Sequence, residues 1–417
     1  MKLLSLLLLT LLGVYACSAQ YSPQSYVDRQ CGTDLNNLWL DVIAVVDNSH
    51  GMTNGGVQSV AANIASVFSS GTRIGSNSTE PRTTRVGLVT YNSGAKLDAD
   101  LNKFQDLDGL YNGVFKDLSD VVDTTDSYLA TGLNAAEELL QSQSLNTTRD
   151  HYKKVIIVYA SEYKGSGELD PVPVANRLKG SGVVIVTVAY DQGGDEGLLR
   201  DLANIASPGF AYSNAPNNAG NLVGQIQDSL LQSMFLCIIF IFSSYLFTAN
   251  CFCPNDWTQY RASYSDQKSF RYGVCFLPVN LPAVWNAAKM ACRMKSNHAH
   301  LAAEFDQSKH DFIFNLAQDS NFKPNPFTYH IGLNFVNGAW VWDQPAGQSP
   351  VNLKSWTNWQ SSYPKSPASL SGVSNIQTGL TTQWNNVALF VGAQDYVCET
   401  YSCDTDNYCD ANIVYNN

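Results

Sequence analysis

The chain has 417 residues, 45% hydrophobic and 15% charged, so it holds too much apolar material for a disordered chain and enough length for two globular domains. Its 25 Lys and Arg against 36 Asp and Glu give a formal charge of −11, which leaves no basic face for phosphates and excludes a nucleic-acid binder. Ten cysteines and 29 glycines point to an exported protein. The first 19 residues hold Lys2, an apolar run from Leu3 to Tyr15 and then small residues, the pattern of a secretory signal peptide. Cleavage near Ser18 or Ala19 removes Cys17 and leaves the remainder in an oxidising compartment where cysteines pair. The sequons Asn77-Ser78-Thr79 and Asn146-Thr147-Thr148 make Asn77 and Asn146 candidate glycosylation sites.

From Leu38 onward, strand and helix patterns alternate. Residues 42–46 form a continuous apolar run, as a strand buried on both faces does. Val57, Val60, Ala61, Ile64, Val67 and Phe68 then recur at helical spacing. A second strand is expected over 85–91, a helix along Leu129, Leu133, Ala136 and Leu140, and further strands over 155–159 and 183–189. Helices over 172–178, 198–205 and 222–231 follow. Such alternation predicts an α/β doubly wound parallel sheet, with ligands beyond the carboxyl ends of its strands.

The loop after the first strand reads DNSHG, Asp47 to Gly51. With the strand order, it makes residues 37–232 resemble the von Willebrand factor A-type domain, the fold of integrin inserted domains. In that family an Asp-x-Ser-x-Ser loop, a Thr and a second Asp hold a divalent cation, and an acidic group of the partner protein completes the shell. Asp47 and Ser49 match; Gly51 has no oxygen to offer. Aligning YLATGL puts Ser127 in the place of the Thr, and aligning VIIVYAS puts Ser161 in the place of the second Asp, with Asp126 and Glu162 next door. The resemblance thus implies a reduced Mg²⁺ or Ca²⁺ site of Asp47, Ser49 and Ser127. The residues also allow a plainer reading, in which Asp47 and Ser49 accept hydrogen bonds from loop amides or cap the next helix.

Residues 233–250 form an apolar insert, MFLCIIFIFSSYLF at 234–247. It is shorter than the roughly 20 residues of a membrane span and no basic cluster flanks it. Three readings compete: a helix packed on a domain, a membrane-associated segment, or sequence foreign to the mature protein, as from a retained intron. Cys237 within it has no evident partner.

From Cys251 aromatics and Asn become dense. CPNDW at 253–257, Cys275, WNAAKMAC at 285–292, HLAAEFDQSKHDFI at 300–313, YHIGLNFVNGAWVWDQ at 329–344, QWNN at 383–386 and YVCE at 396–399 follow in the order of a C-type lectin-like domain. The resemblance covers residues 251–400, leaving 401–417 as a tail. It implies an α+β domain: two helices, then a two-layer β structure whose long loop, about 356–388, carries the ligand site. Following the family, Cys253 pairs with Cys275 and Cys292 with Cys398, while the usual loop bridge is lost near Ser374 and Leu389. Cys403 and Cys409 are close enough to pair locally, and Cys31 and Cys251 flank the first domain as a clasp.

Sugar-binding members hold Ca²⁺ through a Glu-Pro-Asn or Gln-Pro-Asp triplet and a Trp-Asn-Asp triplet. The corresponding triplets are Tyr363-Pro364-Lys365 and Trp384-Asn385-Asn386. The implied ligand positions Tyr363, Lys365, Asn385 and Asn386 have lost their carboxylates, so calcium should bind weakly or not at all. Trp356, Trp359 and Tyr363 are open to two roles, stacking on a sugar ring or packing in the core. No G-x-S-x-G, G-x-G-x-x-G, P-loop or H-E-x-x-H motif occurs, and His298 and His300 form a lone pair of surface type. The whole arrangement resembles a nematode family of secreted C-type lectin-domain proteins, which implies extracellular recognition and host defence. The expectation is a secreted, non-enzymatic recognition glycoprotein with no firm cofactor, whose partners are a glycan or an extracellular protein. The alternative is an adhesion protein tethered in the membrane by residues 234–247.

Overall fold

The computed structural model describes residues 28–410 except 70, 78, 145–148, 191–195, 216–220, 232–250, 267–268, 321 and 323–325. The expected signal peptide, Asn146, Cys237 and the apolar insert lie outside the described residues.

The first module carries one six-stranded sheet, in the order β3-β2-β1-β4-β5-β6. Its strands are β1 (Leu40–Asp47), β2 (Arg85–Tyr91), β3 (Ala95–Ala99), β4 (Lys153–Ala160), β5 (Val184–Ala189) and β6 (Ala211–Ser213). β1 is the axle: it runs parallel to β2 and to β4, and every one of its eight residues is buried. Its side chains alternate between two cores. Val42, Ala44 and Val46 face α1 (Asn54–Val67), α2 (Leu107–Asp117) and α6 (Leu222–Leu231). Ile43 and Val45 face α3 (Leu129–Ser144), α4 (Pro171–Gly180) and α5 (Glu196–Ile205). One strand departs from an all-parallel sheet: the edge strand β3 runs antiparallel to β2. Its Ala95, Lys96 and Leu97 are exposed, so it lacks the apolar run by which the buried strands announce themselves.

The second module is built on a nine-stranded sheet with the path β12-β11-β10-β15-β8-β7. It comprises β7 (Thr258–Arg261), β8 (Arg271–Ala283), β9 (His300–Leu301), β10 (Thr328–Val336), β11 (Ala339–Trp342), β12 (Val351–Asn352), β13 (Gly372–Thr378), β14 (Thr381–Val387) and β15 (Gln394–Tyr401), with helices α7 (Trp285–Arg293) and α8 (Gln307–Asp319). Trp342 and Trp384 are fully buried in its core beside Phe276, Phe312 and Tyr329.

Residues 28–31 belong to this second module although they precede the first. The Lys309 ammonium on α8 is buried and donates to Asp28 Oδ1 at 2.6 Å and Glu399 Oε1 at 3.1 Å. Burial works against its charge, but the two carboxylates prevail and push its pKa up to about 12. Arg29 forms a two-pronged pair with Asp404 at 2.7 and 2.6 Å. Cys31 bonds to Cys251 with 5.4 Å between their Cα atoms, so the first module is an insertion closed at its neck. Cys253–Cys275, Cys292–Cys398 and Cys403–Cys409 are also bonded. The stretch read as a tail is in fact packed as far as Cys409, with Ser402, Cys403, Asp404, Thr405 and Cys409 buried. Trp39 of the first module donates to Asp404 O at 2.8 Å and lies among Tyr152, Phe252 and Tyr408.

Candidate functional site

Two loop regions carry the candidate residues. At the carboxyl edge of the first sheet, β1 ends on the buried Asp47. Ser49 N donates to its Oδ1 at 2.9 Å; Ser127 Oγ at 3.0 Å, Ser161 N at 3.1 Å and Ser161 Oγ at 2.6 Å all donate to its Oδ2. The structure thus gathers Asp47, Ser49, Ser127 and Ser161 from three loops. Beneath them Tyr91 is buried, and burial followed by the Asp47 charge raises its pKa well above the ordinary phenol value.

The third position, Gly51, is filled from elsewhere. A Cβ there would stand 2.9 Å from Glu162 Oε1 and 3.0 Å from Ser161 Oγ, so the Glu162 carboxylate occupies the space a serine side chain would need. Glu162 is itself paired with Lys164, whose ammonium also donates to Thr125 O at 2.8 Å. Sequence reasoning named Glu162 but passed over Lys164. Its signal was a lysine two residues beyond the acid, at the end of a buried strand.

A hard divalent cation takes six or more oxygens and wants net negative charge. Here Glu162 is answered by Lys164 and Asp126 accepts from Tyr128 OH at 3.3 Å, so among Asp47, Ser49, Ser127 and Ser161 the one carboxylate is Asp47. The Ser49 and Tyr91 hydroxyls are buried and make no hydrogen bond, but neutral hydroxyls bring no negative charge to an ion. Among the described residues no group of three or more His, Cys, Asp or Glu is arranged to hold a metal. The residues present do not fit the family's ion.

In the second module the long loop folds over Trp384. Trp356 and Trp359 meet its ring edge-to-face, with centroids 5.1 and 5.6 Å away, and both are half-buried. They pack against Trp384 and brace the loop. The Tyr363–Pro364 bond is cis. Lys365 lies in the exposed loop with its ammonium 4.7 Å from the Tyr363 ring centre. Asn386 is spent internally: its Oδ1 accepts from Lys365 N at 2.8 Å, and its Nδ2 donates to Lys365 O at 2.9 Å and Leu370 O at 2.7 Å. Asn385 is buried and its Oδ1 has no hydrogen-bond partner. One amide oxygen is far short of the six to eight that Ca²⁺ takes.

Below the loop lies a polar cluster that sequence reasoning did not single out. Glu304 is buried, and its Oε2 accepts from Trp384 Nε1 at 2.7 Å and lies 2.9 Å from His310 Nδ1; its Oε1 accepts from Asn375 Nδ2 at 2.7 Å. Burial lowers His310, yet the Glu304 charge and hydrogen bond outweigh it and leave its pKa raised. His330, 2.8 Å from Ser374 Oγ, is instead lowered to about 4 by burial. The signal was present: Lys309 and His310 share the stripe of Phe312, Ile313, Leu316 and Ala317, all buried on α8.

A doubly wound sheet with this loop set, inserted beside a two-helix module with a long loop, defines a two-module architecture. Residues 41–228 match the von Willebrand factor type A domain and residues 282–408 the C-type lectin domain. The chain therefore carries an N-terminal von Willebrand factor A domain and a C-terminal C-type lectin domain.

Among its relatives, C-type lectin domain-containing protein 160 of Caenorhabditis elegans is 26% identical over 400 residues, 92% of this chain and 56% of the relative. A snaclec anticoagulant protein of Deinagkistrodon acutus is 26% identical over 108 residues, 26% of this chain and 61% of that protein. The chain thus spans less than two thirds of the curated relatives it matches. Among solved structures, proximal thread matrix protein 1 of the mussel byssus with a zinc-occupied MIDAS motif shares 20% identity over 48% of this chain and 49% of that one, with a TM-score of 0.39. The C-type lectin domain of murine dendritic cell inhibitory receptor 2 in complex with N-glycan shares 25% over 36% and 98%, with a TM-score of 0.27.

Proposed function

We propose that the protein is a secreted, non-enzymatic recognition glycoprotein whose lectin domain binds a carbohydrate or protein ligand without calcium and whose A-type domain contacts a second extracellular protein. The observation that carries this reading is the state of Asn386. Its amide holds the Lys365 and Leu370 backbone, and the neighbouring triplet presents Tyr363 and Lys365 where carboxyl and amide oxygens would grip an ion. A ligand for this face meets aromatic surface, amides and an ammonium.

Four disulfides fit an oxidising compartment. At Asn77, exposed on its loop, the Thr79 hydroxyl donates to Oδ1 at 2.8 Å, and we place a glycan there. A role in host defence accords with this equipment.

Glycan-array binding of the purified protein, run with and without EDTA, tests the proposal. The expected result is a binding pattern unchanged by chelation. Mannose or galactose binding abolished by EDTA would overturn it. Among the described residues no helix is long and apolar enough to cross a membrane. Alkaline carbonate should release the protein from producing cells; retention in the pellet would support the tethered alternative.

A further inference from the structure

The A-type module poses a problem that the lectin reading leaves untouched. Three loops converge on Asp47, and in the family a divalent ion would bind them together. Here the donors fall short, so something else must hold the loops in register. The candidates are the hydrogen bonds to Asp47, the backbone links between loops, and the Lys164 ammonium.

The first two anchor the floor and one flank. Ser127 and Ser161 are fastened to Asp47. His50 N donates to Thr124 O at 2.8 Å and Val122 N to Asn48 O at 2.8 Å, joining the loop after β1 to the loop before α3. The loop after β4 is tied over the top by Lys164. Its backbone forms a parallel bridge with Tyr128. Its ammonium bonds Thr125 O on one side and the Glu162 carboxylate on the other, and Glu162 in turn fills the space beside Gly51. One cation therefore reaches all three loops, two directly and one through its carboxylate.

We propose that Lys164 takes the place of the divalent ion: its ammonium is a tethered cation that holds the three loops together, and the A-type module engages its partner without a metal. The charge balance supports this. An ammonium beside Glu162 cancels the acid that stands next to Ser161, and it repels a second cation. Gly51 belongs to the same arrangement, since a serine there would push aside the carboxylate that Lys164 holds. Lys164 is a positioning residue in this scheme; it shapes the loops that would meet the partner.

The test uses the full chain, with Mn²⁺ and Mg²⁺ as probes and hydrogen exchange of the loops as a readout that general destabilisation does not mimic. The wild type should show no saturable Mn²⁺ binding that depends on Asp47, up to about 10 mM, and the same melting temperature in Mg²⁺ as in EDTA. Lys164→Met should speed exchange in residues 49–53 and 122–128 by about three- to tenfold while the amides of β1 and β4 keep their protection. Mg²⁺ should not reverse the change, and Lys164→Arg should largely restore slow exchange. Conversely, Gly51→Ser with Ser161→Asp and Lys164→Ala should create an ion site, seen as Mn²⁺ binding and a Mg²⁺-dependent rise in melting temperature. Saturable Mn²⁺ binding by the wild type that vanishes in Asp47→Ala would overturn the proposal. So would unchanged loop exchange in Lys164→Met, and these two arms decide even if the triple variant does not fold. Glycan-array results bear on the lectin module alone, so the two readings fail separately.

Discussion

At the edge of the first sheet Asp47 is surrounded by neutral donors, two hydroxyls and two amides. At the base of the lectin loop, Glu304 faces an indole, an amide and a titratable imidazole. Both acids are fully buried, and both sit under the loops where a ligand would be met. The difference lies in what their loss would leave behind. Hydroxyls freed from Asp47 can turn toward other acceptors or water, whereas the indole and imidazole around Glu304 are rigid and deep in the core. Glu304 thus fixes the shape of its module, while Asp47 organises loops that are held by other links as well.

The sharpest way to break this contrast is a pair of truncations followed by denaturant unfolding of each module. Glu304→Ala should cost about 3–5 kcal/mol, since it strands several buried donors at once. Asp47→Ala should cost about 1–3 kcal/mol. Equal costs, or the reverse order, would dissolve the distinction. Asn386→Ala comes next, at about 1–3 kcal/mol, through the Lys365 and Leu370 carbonyls and the Lys365 amide it serves.

Histidines sharpen the comparison through pH. His330, and His151 at the junction of the modules, are both lowered by burial to about 4. In each case the unfolded chain binds the proton more readily, so stability should fall as pH drops from about 6.5 toward 4, by about 1.4 kcal/mol per pH unit for each ring. His310 is shifted the opposite way, and its contribution is complete below about 6.5 and lost as pH rises through its folded value. Melting temperature plotted against pH should therefore pass through a maximum near neutrality. His330→Phe should flatten the acid limb and His310→Gln the alkaline limb; an acid limb unaltered by His330→Phe would refute the assignment. The smallest effect belongs to Lys365→Ala, within about 0.5 kcal/mol, because its ammonium is exposed and touches only the Tyr363 ring.

Much of the scaffold could be read from residue order. β1, β2, β4 and β5 are apolar runs buried on both faces, and such runs have few alternatives to a central strand. β3 and α2 escaped because their apolar residues are sparse and their exposed faces polar. The oxygen set around Asp47 was legible as far as the family loops align. The Lys164 link was not, because it depends on where a flexible side chain bends. Nor did any local pattern name the partners of Lys309: Asp28 is 281 residues away from it, and only the folded path brings the two together. A lysine on the apolar stripe of α8 was the available sign, since such a charge must find a partner inside.

The neck at Cys31 and Cys251 imposes an order on how the molecule is made. Asp28 and Arg29 emerge from the ribosome before the A-type module, yet their partners Lys309, Glu399 and Asp404 are translated hundreds of residues later. The inserted sheet can close on itself while the lectin half is still being synthesised. The leading segment waits beside it until the residues that carry Lys309, Glu399 and Asp404 arrive to complete the module.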